Sequence, residues 1–140
     1  MSDAIEQAAH HDITEVLLRY AAAIDRRDWE LFHTCFTDDC HADYGDIGAW
    51  ESLDAITAFM IDAHTELGHT LHRLSNFTIA VQAHHASARS YVDAVLVTPD
   101  GQTCINAIGY YDDELVATAA GWRIAKRNFT PVRLAVLGPT

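Results

Sequence analysis

The sequence predicts an α+β domain in which N-terminal helices cover one face of a curved antiparallel sheet. In the first half of the chain, apolar residues recur at spacings of three and four, which is typical of amphipathic helices. From residue 69 onwards, apolar and polar residues alternate instead, which is typical of strands with one buried face. Helices followed by consecutive strands favour a layered α+β arrangement.

Residues 4–26 are predicted to form one long amphipathic helix. Its apolar face carries Ile13, Val16, Leu17, Tyr20 and Ile24. The charged side carries Glu15, Arg19 and Arg26. At 100° per residue Asp25 falls away from these charges, on the flank of the broad apolar face. The position predicts a carboxylate that points partly inward.

The remaining elements are predicted from turn-forming residues, helix caps and periodicity. A short second helix is predicted in "RRDWELFHTCF", "TDDC" is predicted to end it, and "HADYGDIGAWES" indicates a short strand or hairpin. The segment "SLDAITAFMIDAHTEL" predicts a further helix with Ser52 as its N-cap. Four long strands are then predicted in "HTLHRLSNFTIAVQA", "HASARSYVDAVLVT", "QTCINAIGYYDDELVAT" and "GWRIAKRNFTPVRLAV".

Composition limits the classes of partner. The chain has 140 residues, 49% of them hydrophobic, and a formal net charge of −11. This balance disfavours binding to nucleic acid or to anionic membranes, because no basic patch would neutralise phosphates. The polar, acidic start "MSDAIEQAAHHD" does not have the pattern of a secretory signal, and three cysteines show no disulfide spacing. We expect a cytoplasmic protein with reduced thiols.

Four segments carry a family resemblance: "RYAAAIDRRDWELFHTCFTDD", "HRLSN", "GYYDDEL" and "GWRIAKR". Together they resemble the SnoaL-like proteins of the nuclear transport factor 2-like superfamily, and most closely its scytalone dehydratase, bile-acid dehydratase and dehydrochlorinase branch. The resemblance implies a single SnoaL-like domain over residues 1–140. It implies a cone-shaped α+β barrel, whose curved antiparallel sheet wraps around the N-terminal helices and leaves an apolar pocket. It also implies a homodimer formed through the outer face of the sheet, or a higher homo-oligomer.

The same resemblance implies two catalytic residues. Enzymes of this branch keep an aspartate at the end of the first helix and a histidine on the first long strand. Those positions match Asp25 in "IDRRDW" and His72 in "HTLHRLSN".

Four further residues are expected to contact the substrate. Tyr20 matches a tyrosine of bile-acid dehydratase, and Tyr44 in "ADYG" matches one of scytalone dehydratase. The second pocket histidine of scytalone dehydratase has no counterpart here, and Asp93 stands near its position. Asn106 lies beside the positions of that enzyme's later polar pocket residues.

An Asp–His pair suits removal of a proton from carbon. The histidine accepts the proton, while the carboxylate fixes its tautomer and stabilises the imidazolium. We therefore expect cofactor-independent acid–base catalysis on a small apolar or polycyclic substrate. A dehydration or a related elimination is the favoured reaction. An isomerase like ketosteroid isomerase, a polyketide cyclase and a non-catalytic binding or subunit module are the alternatives.

Simpler interpretations stand beside these. Asp25 could bond Arg26, Arg27 or the helix end, and Tyr20 could only pack in the core. Arg127 and Arg133 are expected to be exposed sheet residues. The group His33, Cys35, Cys40 and His41 lacks the paired spacing of a zinc site, so no metal is expected.

Overall fold

The computed structural model describes residues 2–139 and confirms the predicted α+β class. Its elements are α1 (Asp3–Arg26), α2 (Trp29–His33), β1 (Phe36–Asp43), β2 (Ala49–Trp50), α3 (Leu53–Thr65), β3 (Thr70–Gln82), β4 (His85–Val97), β5 (Cys104–Thr118) and β6 (Gly121–Leu137). The helices come first, and the four longest strands follow in an uninterrupted meander. No described helix is long and apolar enough to cross a membrane.

Helix α1 is the element against which the sheet curls. The Ser2 side chain accepts a hydrogen bond from the Ile5 N–H and satisfies one of the free donors at its start. The helix ends where Arg27 adopts the left-handed conformation, with φ of 55°. Its buried face contains the predicted residues Ile13, Val16, Leu17, Tyr20 and Ile24.

The six strands form one sheet in the order β2-β1-β6-β5-β4-β3. All neighbours are antiparallel except β1 and β6, which run parallel. The parallel pair was not predicted, and "TDDC" does not end a helix but lies within β1. The strand forms because Phe36, Cys40 and Ala42 are buried, while Asp38 and Asp39 between them face solvent beside an irregular register.

The inner face of the sheet is sealed at one end and opens at the other. At the sealed end, Leu115 of β5 and Ile124 of β6 are at most 1% exposed. At the other end, the paired positions Ile105 and Val136 are 38% and 71% exposed. Inward-facing side chains that remain uncovered are typical of a cone open to solvent on one side.

A buried ion pair spans β5 and β6. Arg127 was expected to be exposed, but its side chain is fully buried because it faces inward. Its Nε and Nη2 atoms donate to the two carboxylate oxygens of Asp113 at 2.7 and 3.0 Å. Burial opposes the charge of Arg127, but the Asp113 carboxylate outweighs it and raises the pKa of the guanidinium above its usual range. Arg133 is exposed, as expected.

We expect Asp113→Ala to lower the free energy of unfolding by about 3–5 kcal/mol, because it leaves a buried guanidinium without a counter-charge. Urea unfolding followed by circular dichroism measures the change. The matched control is Asp112→Ala, at the position next to Asp113. This change removes an exposed carboxylate that forms two hydrogen bonds with Arg89. That variant should lose far less stability, because solvent screens exposed pairs. Equal losses in the two variants would contradict the assignment.

Candidate active site

The end of α1 is fixed to the start of β3 by a hydrogen-bonding arginine. The Arg27 side chain donates to the Gly68 carbonyl at 2.7 Å, to the Thr70 hydroxyl at 2.8 Å and to the Ile24 carbonyl at 2.9 Å. These contacts join the last turn of the helix to the loop and strand that follow α3. The Asp25 carboxylate is thereby held against β3.

Asp25 and His72 form a close pair. His72 Nδ1 lies 2.7 Å from Asp25 Oδ1, and the His72 backbone N–H donates to Oδ2 at 2.8 Å. The Thr70 hydroxyl donates to Oδ1 at 3.0 Å. Because the Arg27 guanidinium already donates to that hydroxyl, the hydroxyl's own proton is directed to the carboxylate.

The protonation state of the pair follows from these contacts. Burial would raise the pKa of Asp25, but hydrogen bonds from the ring and backbone of His72, with Thr70, hold that pKa below its usual range. The ionised carboxylate can only accept, so the proton of a neutral His72 ring resides on Nδ1. Nε2, on the other side of the ring, then carries the free lone pair.

The pair is largely, but not completely, shielded from solvent. The side chains of His72 and Asp25 are 10% and 20% exposed. This exposure removes most bulk water from the pair. A depression of about 570 Å³ lies elsewhere and is bordered by Gln82, His85 and Glu114, among others. We place the site at the pair because the carboxylate and imidazole are joined there.

Three tyrosines form an aromatic group next to His72. The Tyr20 ring stands edge-on to the His72 ring, with 6.5 Å between centroids. The Tyr20 and Tyr44 hydroxyls are hydrogen-bonded at 2.9 Å, and the Tyr111 ring packs against both tyrosines. Burial raises the pKa of all three hydroxyls, so they remain proton donors at neutral pH.

Arg127 lies between two of these rings. Its guanidinium carbon is 4.2 Å from the Tyr20 centroid and 3.8 Å from the Tyr111 centroid. Its Nη1 is buried and has no hydrogen-bond partner among the described residues. The tyrosine group is therefore backed by a fixed positive charge with one donor free.

Two predicted residues lie apart from this group. Asp93 is exposed on the outer face of β4, where it pairs with Arg73 at 3.3 Å, so it lies on the opposite face of the sheet from the tyrosine group. The reason is strand alternation, since the adjacent Val92 and Ala94 point inward. Asn106 is paired with Val95, which shares the outer face with Asp93. The structure therefore brings together Asp25, His72, Tyr20 and Tyr44 only.

A SnoaL-like domain model matches residues 6–128 of the chain. The chain belongs to the SnoaL-like family. An uncharacterized Mycobacterium tuberculosis protein, Rv2910c, is 29% identical over 118 residues, which are 83% of this chain and 80% of that protein.

Solved structures share the fold of this SnoaL-like chain. A hexachlorocyclohexane dehydrochlorinase (LinA) type 2 superposes with a TM-score of 0.88 at 17% identity, over 99% of this chain and 95% of that one. A protein described as a candidate scytalone dehydratase from Novosphingobium aromaticivorans gives 0.86 at 21% identity, over 93% and 88%. At these identities the likeness shows the fold alone.

Sequence reasoning missed several residues around the SnoaL-like site. Asp113 and Tyr111 lie two and four residues before the buried Leu115, and strand alternation from that apolar residue was a usable signal for their inward position. Thr70 and Arg27 gave no such signal, because their contacts join segments more than 40 residues apart.

The pH dependence of stability tests the ionisation of Asp25. Its lowered pKa in the folded state means that its contribution is present above the usual carboxyl range near pH 4 and is lost as the pH falls through the lowered pKa. We therefore expect the stability difference between wild type and Asp25→Asn to shrink between about pH 5 and about pH 3, below the range in which histidines ordinarily titrate, in urea titrations. A difference that grows between these two pH values would contradict an ionised Asp25.

Proposed function

We propose that this SnoaL-like protein catalyses a cofactor-free elimination, most simply a dehydration, on a small apolar or polycyclic β-hydroxy ketone. The observation that carries the proposal is the 2.7 Å contact between Asp25 and His72. It leaves His72 Nε2 as a base next to an aromatic, mostly dry surface. The dehydrochlorinase with the same fold is an eliminating enzyme by its name, which supports this reaction class.

The first step is proton removal from the carbon beside the ketone. Nε2 of His72 takes the proton, and the electron pair of the C–H bond moves to the ketone oxygen to give an enolate. The Asp25 carboxylate stabilises the resulting imidazolium. A hydrogen bond from a neutral tyrosine, with Arg127 behind it, would stabilise the enolate oxygen.

The second step is loss of the hydroxyl group from the neighbouring carbon. The enolate collapses to re-form the carbonyl, a carbon–carbon double bond forms, and the C–O bond breaks. The leaving oxygen takes one proton, supplied by the imidazolium directly or through the Tyr20–Tyr44 hydroxyl pair. Water is released, and the enzyme returns to its starting protonation state without a metal or redox partner.

A bicyclic β-hydroxy ketone provides a direct assay. Dehydration of 3-hydroxy-1-tetralone gives 1-naphthol after tautomerisation, and the product is followed by fluorescence. We expect wild-type turnover to exceed the buffer rate, and His72→Ala and Asp25→Asn each to lose roughly 10²-fold or more, as for removal of a general base. His69→Ala and Asp62→Asn are matched controls, because both residues are exposed.

The controls should retain wild-type rates, and circular dichroism should show that all four variants are folded. The proposal fails if His72→Ala or Asp25→Asn turns over the probe at the wild-type rate. It also fails if a panel of bicyclic β-hydroxy ketones binds, as judged by thermal shift, without any turnover above buffer. That second result would favour a non-catalytic binding module.

A further inference from the structure

A second buried histidine lies on α3. His64 is 7% exposed and shares the buried face of the helix with Leu53, Ile56, Thr57 and Met60. Its Nδ1 atom is 2.7 Å from the backbone carbonyl of Met60, one turn earlier in the same helix. The carbonyl can only accept, so Nδ1 carries a proton.

The other ring nitrogen of His64 has no partner. Nε2 is buried, and no described residue hydrogen-bonds to it. Burial lowers the pKa of His64, which favours the neutral ring with a bare lone pair on Nε2. A buried acceptor without a donor is uncommon in proteins and costs stability, so a donor from a bound molecule would be favourable there.

The surroundings of His64 connect it to the Asp25–His72 pair. The segment that follows His64 is joined to the end of α1, because Arg27, two residues after Asp25, donates to the carbonyl of Gly68 at 2.7 Å. The Trp29 ring packs edge-on at 6.3 Å between centroids. His64 therefore belongs to the same interior region as the catalytic pair.

The donors at the Asp25–His72 pair have other partners. Arg27 donates to Gly68, Thr70 and Ile24, and the Nδ1 proton of His72 is held by Asp25. A donor on a bound molecule would therefore complete Nε2 of His64.

We propose that Nε2 of His64 accepts a hydrogen bond from a hydroxyl group of the ligand bound against the Asp25–His72 pair. This rests on the proposed function only for the location of the ligand, and it narrows the substrate class to alcohols and phenols. A matching ether or an unsubstituted ring leaves the acceptor unpaired and binds less tightly. His64 is thus a specificity residue that recognises a hydroxyl group, and it does not act as a base.

A pair of probes isolates this hydrogen bond. The dissociation constants of 2-naphthol and 2-methoxynaphthalene are measured by calorimetry for wild type, His64→Phe and the exposed control His69→Phe. The ratio of the two constants should show a preference for 2-naphthol in wild type and in His69→Phe. In His64→Phe that preference should fall by roughly three- to tenfold, as expected for one lost hydrogen bond.

A measurement on wild type keeps the proposal falsifiable if His64→Phe does not fold. The ¹⁵N resonance of His64 Nε2 should move towards the hydrogen-bonded range when 2-naphthol is added, and should not move with 2-methoxynaphthalene. An unchanged preference in a folded His64→Phe, a stationary resonance, or no binding of 2-naphthol to wild type would overturn the proposal. A resonance already hydrogen-bonded in the free protein and unmoved by 2-naphthol would assign Nε2 to water and would overturn it as well.

The hydroxyl contact and the proposed elimination fail separately. Wild-type turnover in Asp25→Asn and His72→Ala, with a lost preference in His64→Phe, would reject the elimination and retain the hydroxyl contact. Impaired turnover in those two variants, with an unchanged preference in His64→Phe, would reject the contact and retain the elimination.

Discussion

The hydrogen bond between Asp25 and His72 is the interaction on which the proposed chemistry of this protein depends. It joins residues 47 positions apart in the sequence, one at the end of α1 and one on β3. Arg27 and Thr70 hold the two segments in this register, so the carboxylate is fixed before any ligand arrives. A fixed carboxylate beside an imidazole needs little reorganisation during proton transfer, which is the general advantage of a preorganised site.

The buried Arg127–Asp113 pair also contacts the tyrosine group. Replacing such a pair with apolar residues of similar volume is often neutral or stabilising, so stability alone does not explain it. Here the guanidinium contacts the rings of Tyr20 and Tyr111 and keeps one donor free. We interpret it as a positive charge held against the rings of Tyr20 and Tyr111, close to where the proposed enolate would develop.

The sequence predicted the fold class, the four long strands and the inward direction of Asp25, because each follows from the local spacing of apolar and polar residues. It did not predict the parallel pairing of β1 with β6, since that contact joins distant segments and leaves no local pattern. The resemblance supplied His72 and Tyr44, which the structure places near Asp25 and Tyr20. Asp93 could not be oriented from sequence, because a one-residue change of register moves a strand residue to the other face. The catalytic role of the pair and the homodimer remain predictions.

The tautomer of His72 tests the central claim most directly. Long-range ¹H–¹⁵N correlation spectra of the neutral ring distinguish a proton on Nδ1 from a proton on Nε2. We predict the Nδ1–H form in wild type, because the ionised carboxylate of Asp25 accepts that proton, and a clear loss of this preference in Asp25→Asn. A wild-type ring protonated mainly on Nε2 would leave no free base facing the ligand and would contradict the proposed role of the Asp25–His72 pair.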